Sequence, residues 1–315
     1  MMPKNPIQFQ KGLGLHEFLE RYATEEQCRQ ALYALRWPTG YVCPACANTT
    51  GCKLNNRAIY QCHKCHHQTS LTAGSIFHGT KLALNKWFLA IYLLTQRKKS
   101  TSALQLSREI GVSYNTAWSI KHKLMQVMLE REQGKMLSGR IETDDAYLGG
   151  EKPGKRGRGS RNKVPFLAAV ETTQDGRPLK IQLRRVRGFR HGEITRYAKS
   201  SLAPGSHIIS DGLWCFKGVT KACCTHHPVV TGGGRQSAQL STFKWVNTML
   251  GNVKNSLLGT FHAIREKHVP RYLAEFEYRF NRRVNLPIMI ERLVYVALRT
   301  PPMPYRFLRM AEVYG

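Results

Sequence analysis

Acidic residues are scarce in this chain. Its 315 residues carry 20 Asp and Glu against 48 Lys and Arg, a formal net charge of +28. A balance so one-sided repels itself unless a polyanion is at hand. Basic residues recur along the whole length, which favours nucleic acid over an anionic membrane as the partner. Long apolar runs are lacking too. The most apolar stretch, Trp87 to Leu94, has eight residues, far short of the roughly 20 that cross a bilayer. The opening MMPKNPIQFQ has no apolar run of the kind a secretory leader needs. No basic amphipathic helix stands alone. The expectation is a cytoplasmic protein with no membrane partner. Internal repeats are absent, and low complexity is confined to residues 151–163.

Cysteine is not scarce, and its placement is informative. Five of the nine cysteines lie between Cys43 and Cys65. In a reducing compartment such paired spacing points to metal, not disulfides. Cys43 and Cys46 form one CxxC pair; fifteen residues later Cys62 and Cys65 form another. Each pair on a tight turn aims two thiolates at one point, and two turns together give the tetrahedral sulfur cage that Zn2+ prefers. Four thiolates leave no open position, so the zinc is structural. A ribbon this small has almost no core, and metal binding supplies its folding energy. Cys52, His63, His66 and His67 are neighbouring alternatives, although neither pair needs Cys52.

Elsewhere the pattern alternates between helix and strand. Residues 13–38 read as a helical unit with a capping box from Thr24 to Gln27 and a stop at Trp37 and Pro38. Lys81 to Gln96 reads as an apolar-rich helix. Two short helices follow around Gly111, Val112 and Ser113: the glycine ends the first and Ser113 caps the second. The second buries Ala117, Ile120 and Leu124 and leaves Tyr114, Asn115, Ser119, Lys121 and Lys123 more exposed. That is how a recognition helix enters a major groove, with Tyr114, Asn115 and Lys121 as DNA contacts; an ordinary helical hairpin is the alternative. Residues 139–148, Val164–Glu171, Lys180–Val186 and His207–Ser210 read as strands, Glu193–Ser201 as a helix, and the chain after Thr242 as mostly helical.

With so few acids, their positions matter. Asp144 and Asp145 lie in a strand, where successive residues face opposite ways, so only one of them is expected in a given site. Asp211 ends a second strand. Two such carboxylates suit a pair of divalent ions about 4 Å apart, which activate an attacking oxygen and stabilise a leaving one. Mg2+ keeps waters and needs few protein oxygens. A strand-terminal Asp is also a common turn residue. Between the strands, residues 151–163 hold Lys152, Lys155, Arg156, Arg158, Arg161 and Lys163 against one Glu. Of these, Lys155, Arg156, Arg158 and Arg161 are expected to order on phosphate.

The succession of ribbon, helix-turn-helix, I-E-T-D-D-A-Y-L-G-G, basic loop, H-I-I-S-D-G, W-V-N-T-M-L-G-N-V-K-N-S-L-L-G-T-F-H and Y-L-A-E-F-E-Y-R-F-N-R-R resembles bacterial insertion-sequence transposases of the zinc-ribbon, ISXO2-like kind. The likeness covers about residues 15–295. It implies a multidomain chain: 13–75, an N-terminal helix and zinc ribbon; 80–130, an α-helical helix-turn-helix region; and 139–298, an α/β ribonuclease-H-like catalytic domain. It also implies a DDE-type site in which Asp144 and Asp211 are the first two members. The third, seven residues before Lys254, is Asn247; different branches of the family carry Glu or Asn there. Asn offers one neutral carbonyl oxygen where Glu offers a charged carboxylate. Glu275 is a candidate carboxylate neighbour, or a structural acid. The implied cofactors are structural Zn2+ and catalytic Mg2+ or Mn2+. The implied partners are double-stranded DNA, both element ends and target, and further copies of the chain assembled on it at the bacterial nucleoid. The rival expectations are a transposase-derived DNA-binding protein without catalysis, and a nuclease or resolvase that cuts without joining.

Overall fold

The computed structural model describes residues 7, 10–54, 58–149, 163–230, 241–261 and 264–311. Residues Lys155, Arg156, Arg158 and Arg161 of the basic segment lie outside them. Two compact units divide the chain: Met1–Val127 with Arg283–Gly315, and Met128–Arg282.

The first unit opens with helices α1 (Leu15–Tyr22) and α2 (Glu25–Arg36). The Thr24 hydroxyl accepts the Gln27 N–H, and the Gln27 side chain accepts the Thr24 N–H, which is the capping box the sequence announces. Strands β1 (Gly51–Lys53), β2 (Ile59–Cys62) and β3 (Gln68–Ser70) make an antiparallel meander. Strands this short enclose little. Their buried cluster is Trp37, Tyr41, Cys43, Cys62 and Leu71, with Tyr33 and Tyr60 packed on it. Gly51 makes room for it: a Cβ there would stand 2.6 Å from the Tyr41 ring.

Helix α3 (Leu84–Gln96) buries eight of its residues and has almost no polar face, as a core helix should. Helix α4 (Ala103–Ile110) is capped by the Ser102 hydroxyl, which accepts the Gln105 N–H at 3.1 Å, and ends at Gly111 in the left-handed conformation. Ser113 starts α5 (Tyr114–Glu132) by accepting the Thr116 N–H at 3.3 Å. Two helices joined by a turn thus form where the sequence places them, with two differences. The second helix has 19 residues and is not short. Lys121, expected on the exposed face, is fully buried; its ammonium donates to the Thr101 carbonyl at 2.6 Å and the Ser100 hydroxyl at 3.4 Å. A single polar stripe does not form here: nearly every residue from Ile120 to Leu129 is buried, Lys121, His122 and Gln126 included. Helices α9 (Met289–Ala297) and α10 (Tyr305–Met310) belong to this unit; α9 packs on α2 and α3.

The second unit is a five-stranded sheet between helices. Its strands are β4 (Arg140–Leu148), β5 (Val164–Thr172), β6 (Pro178–Arg185), β7 (His207–Asp211) and β8 (Thr225–Val229), in the order β6-β5-β4-β7-β8. The first three pair antiparallel, and β7 and β8 run parallel to β4. Ile141, Leu167, Ala169 and Ile208 face α6 (His191–Ser201) and the 3-10 segment Trp214–Ala222. Ala146, Phe166, Ala168, Val170, Ile181 and Leu183 face α7 (Lys244–Leu258) and α8 (Val269–Asn281). Each fully buried Leu or Phe contributes roughly 1.5–3 kcal/mol to holding these layers. An antiparallel meander extended by parallel strands, with helices on both faces, is a ribonuclease-H-like arrangement. Strand β8 escaped the sequence reading because it is a polar, mostly exposed edge containing Pro228, which edge strands tolerate.

Candidate metal centres

In the ribbon, Cys43, Cys46, Cys62 and Cys65 converge. All four sulfurs lie within 4.8 Å of one another, with Cys43 to Cys65 and Cys46 to Cys62 both at 3.6 Å. A Zn–S bond of ~2.3 Å in a tetrahedron implies sulfurs about 3.8 Å apart, so the cage fits that ion. Each CxxC turn is followed by a residue in the left-handed region, Ala47 (φ 58°) and His66 (φ 55°). The Ala47 N–H donates to the Cys43 carbonyl and the His66 N–H to the Cys62 carbonyl, so the two turns repeat one geometry. Burial alone would raise the Cys62 thiol, but donation from the Cys65 and Lys64 N–H groups and the Asn48 amide brings it down to about 6. The Asn48 N–H acts to lower Cys46, yet its hydrogen bonds with the Cys65, Cys62 and Cys43 thiols outweigh it and push it up to about 12. Four thiolates this close repel one another, and a cation at their centre would relieve it. Cys52 is exposed and stands outside the cage.

The second centre is carboxylate. Asp144 lies on β4 and Asp211 at the end of β7, neighbouring parallel strands. Alternation puts both on the face covered by α7, the face of Ala146 and Leu148. Asp145, which the alternation rule separates from Asp144, joins them: oxygens of all three lie within 4.8 Å of one another. The two side chains leave β4 on opposite faces, but carboxylates of neighbouring residues can meet around an edge that no strand covers. Strand β7 pairs with β4 only as far as Thr143 opposite Ser210. Beyond that point Asp144 turns back, its Oδ1 accepting the Asp145 N–H at 2.8 Å. Asp211 is held by accepting the Leu213 N–H at 3.2 Å. Burial, then the negative charge of Asp145, push the Asp144 carboxyl up to about 7; Asp211 adds to this, while the Asp145 N–H and Lys254 oppose it. Crowded hard oxygens of this kind fit a divalent cation such as Mg2+.

Helix α7 brings the remaining residues. It buries Val246, Met249, Leu250, Val253 and Leu257 against the sheet. Asn247 and Lys254, seven residues apart and so within about 20° on the helix, are both half-buried on one flank of that apolar stripe. Lys254 acts electrostatically on Asp144. Glu275 is buried on α8 beside Arg279 and is not in the acidic group. Tyr114 and Asn115 are exposed at the start of α5, as expected, whereas Lys121 is not. Sequence reasoning passed over Glu142, which is buried on the face of Asp144 and accepts two N–H groups of α7. The available signal was its spacing: an acid two residues before Asp144 shares its face.

The model of the transposase zinc-ribbon domain matches residues 23–68, and that of the ISXO2-like transposase domain matches residues 136–281. Together they take in more than half of the chain. It belongs to the ISXO2-like, zinc-ribbon insertion-sequence transposases. A curated relative, an uncharacterised protein in transposable element ISH50 of Halobacterium salinarum, is 28% identical over 178 residues, 55% of this chain. The chain spans 59% of that relative's length. Among solved structures, the Mos1 strand transfer complex matches 62% of this chain and 76% of that one at 12% identity. A pre-cleavage Mos1 transpososome matches 66% and 76% at 9% identity. Both have a TM-score of 0.23, and so weak a likeness carries no argument.

Proposed function

We propose that this chain is a transposase that binds the ends of its insertion sequence and cuts and joins DNA strands with Mg2+ or Mn2+. The observation that carries the reading is the meeting of Asp144 and Asp211 from adjacent parallel strands, with Lys254 acting on the same point. Asp144 and Asp211 would hold the metal, and Asn247 would complete the set with a neutral oxygen. Asp145 supplies a third negative charge beside it. A divalent ion held there would supply Lewis acidity towards an attacking and a leaving oxygen at phosphorus. Lys254 meets a phosphate beside the scissile bond. Cleavage and joining are the same displacement with different nucleophiles, so one site serves both.

Residues 13–75 and 80–130 recognise the element ends, and 139–298 carries the chemistry. The ribbon cysteines hold structural Zn2+. Tyr114 and Asn115 enter the groove, and Lys155, Arg156, Arg158 and Arg161 follow the phosphates. Two ends must be brought together, so the chain works as a homo-oligomer on DNA in the cytoplasm, at the nucleoid. No helix among the described residues is long and apolar enough to cross a membrane. The test is strand cleavage and strand transfer on labelled DNA carrying the element's ends, beside an Asp144→Ala, Asp211→Ala double variant. Metal-dependent joining by the wild type alone is expected. One observation favours a second reading, a DNA-binding relic: Asn247 stands where a Glu would add charge. Salt-sensitive DNA binding with no cutting in either protein would establish that reading instead.

A further inference from the structure

Helix α7 begins in an unusual way. Its N-cap residue is Phe243, which makes no side-chain cap. A helix start leaves four N–H groups without partners inside the helix, and a Ser, Thr, Asp or Asn at the cap would ordinarily accept one of them. Here the acceptor comes from the sheet. Glu142 Oε2 accepts the N–H of Trp245 at 2.9 Å and of Val246 at 3.1 Å. Its other oxygen is held by Arg140 Nη1 at 2.9 Å, and that guanidinium also donates to Thr172 Oγ1 on β5 at 3.0 Å. The carboxylate is 1% exposed. Burying a charge costs several kcal/mol before its partners offset it, and a local hydroxyl would cap the helix without that cost. What the local cap could not do is tie the helix to the strand.

That tie lies beside the carboxylate site. Glu142 is two residues before Asp144 on the same face of β4, and the N–H groups it holds are one and two residues before Asn247. A slip of one residue at the start of α7 would rotate Asn247 by about 100°. We infer that Glu142 is a positioning residue: by fixing the first turn of α7 to β4, it sets where Asn247 and Lys254 stand relative to Asp144. The inference rests on the metal site proposed above.

The test compares Glu142→Ala, Glu142→Gln and Glu142→Asp in the full chain. Gln keeps an acceptor oxygen at the same reach; Asp keeps the charge but shortens the tether by one methylene. Two readouts are needed: amide hydrogen exchange at Trp245 and Val246 without metal, and Mn2+ affinity by electron paramagnetic resonance. In Glu142→Ala, both amides should exchange at least tenfold faster, and the Mn2+ Kd should rise by about 10- to 100-fold, the usual loss for an outer partner of a metal ligand. Glu142→Gln should restore both. Faster exchange with wild-type Mn2+ affinity would make Glu142 a purely structural cap and overturn the inference, as would unchanged exchange. Should the Ala variant not fold, Glu142→Asp decides: weakened Mn2+ binding supports the tether, and wild-type binding overturns it. A wild type that binds Mn2+ but cuts no DNA would count against the proposed function alone. A wild type that binds no Mn2+ at the carboxylates would remove both.

Discussion

Replacing Asp144 with Asn should stabilise the metal-free protein, and by an amount that depends on pH. The carboxyl titrates at about 7 in the fold because burial and the Asp145 and Asp211 charges disfavour its anion. An unfolded Asp titrates near ~3.9. The folded state therefore keeps a proton that the unfolded chain has already released, and stability falls as pH rises from about 4 to about 7. Below that window the penalty vanishes; above it the penalty is complete. With about 1.36 kcal/mol per pH unit of displacement, the gain from Asp144→Asn grows from about 0.5 kcal/mol at pH 4 to an upper bound of about 4 kcal/mol at pH 8. Asn keeps the oxygen that accepts the Asp145 N–H, so the change is close to a pure removal of charge. For a unit of roughly 150 residues, 1 kcal/mol moves Tm by about 2–4 °C, which makes the shift at pH 8 about 10 °C. The assay is urea or thermal unfolding of both proteins in chelator at pH 4 and pH 8. Adding Mn2+ should reverse the order, stabilising the wild type and leaving the variant behind. Equal stabilities at both pH values would refute the account of a crowded, cation-seeking site.

Other consequences are as direct. Cys62→Ser should abolish Zn2+ binding at the cage and release the Trp37, Tyr41 and Tyr60 cluster packed on it; metal analysis and the change in tryptophan fluorescence on Zn2+ removal would show it, and fluorescence unchanged by the substitution would contradict a metal-built core. Lys254→Ala removes a cation that opposes the rise of Asp144, so the pH midpoint of Mn2+ binding should move upward; an unmoved or lowered midpoint would separate Lys254 from the site. Lys121→Met should leave the salt dependence of DNA binding unchanged, because its ammonium is buried on the Thr101 carbonyl; loss of a phosphate contact would instead flatten the slope by about 0.9.

What the sequence made legible was local. The CxxC turns, the Thr24 to Gln27 box and the Gly111 stop each depend on a few consecutive residues, and each appears in place. Pairing Asp144 with Asp211 needed one further step, since acids at the ends of neighbouring strands meet only if the strands lie side by side. Asp145 joins the group because alternation fixes the face a side chain leaves from and not how far its carboxylate reaches, and β4 has no neighbour on the β7 side after Thr143. Lys121 was misjudged because a polar residue on a helix buried nearly all round does not mark a solvent face. The spacing of Glu142 from Asp144 shows which face it shares, but its role is not legible locally: its partners lie about a hundred residues along the chain, and nothing in its immediate neighbours shows that α7 will lack a cap of its own.

Asp144 and Asp211 are proposed to form a divalent-metal site. Crystals of the protein soaked in Mn2+ and measured at the manganese absorption edge test it most directly. The account predicts an anomalous peak coordinated by both carboxylates, and its loss in Asp144→Asn. Anomalous signal at the cysteine cage alone, with none between Asp144 and Asp211, would contradict it.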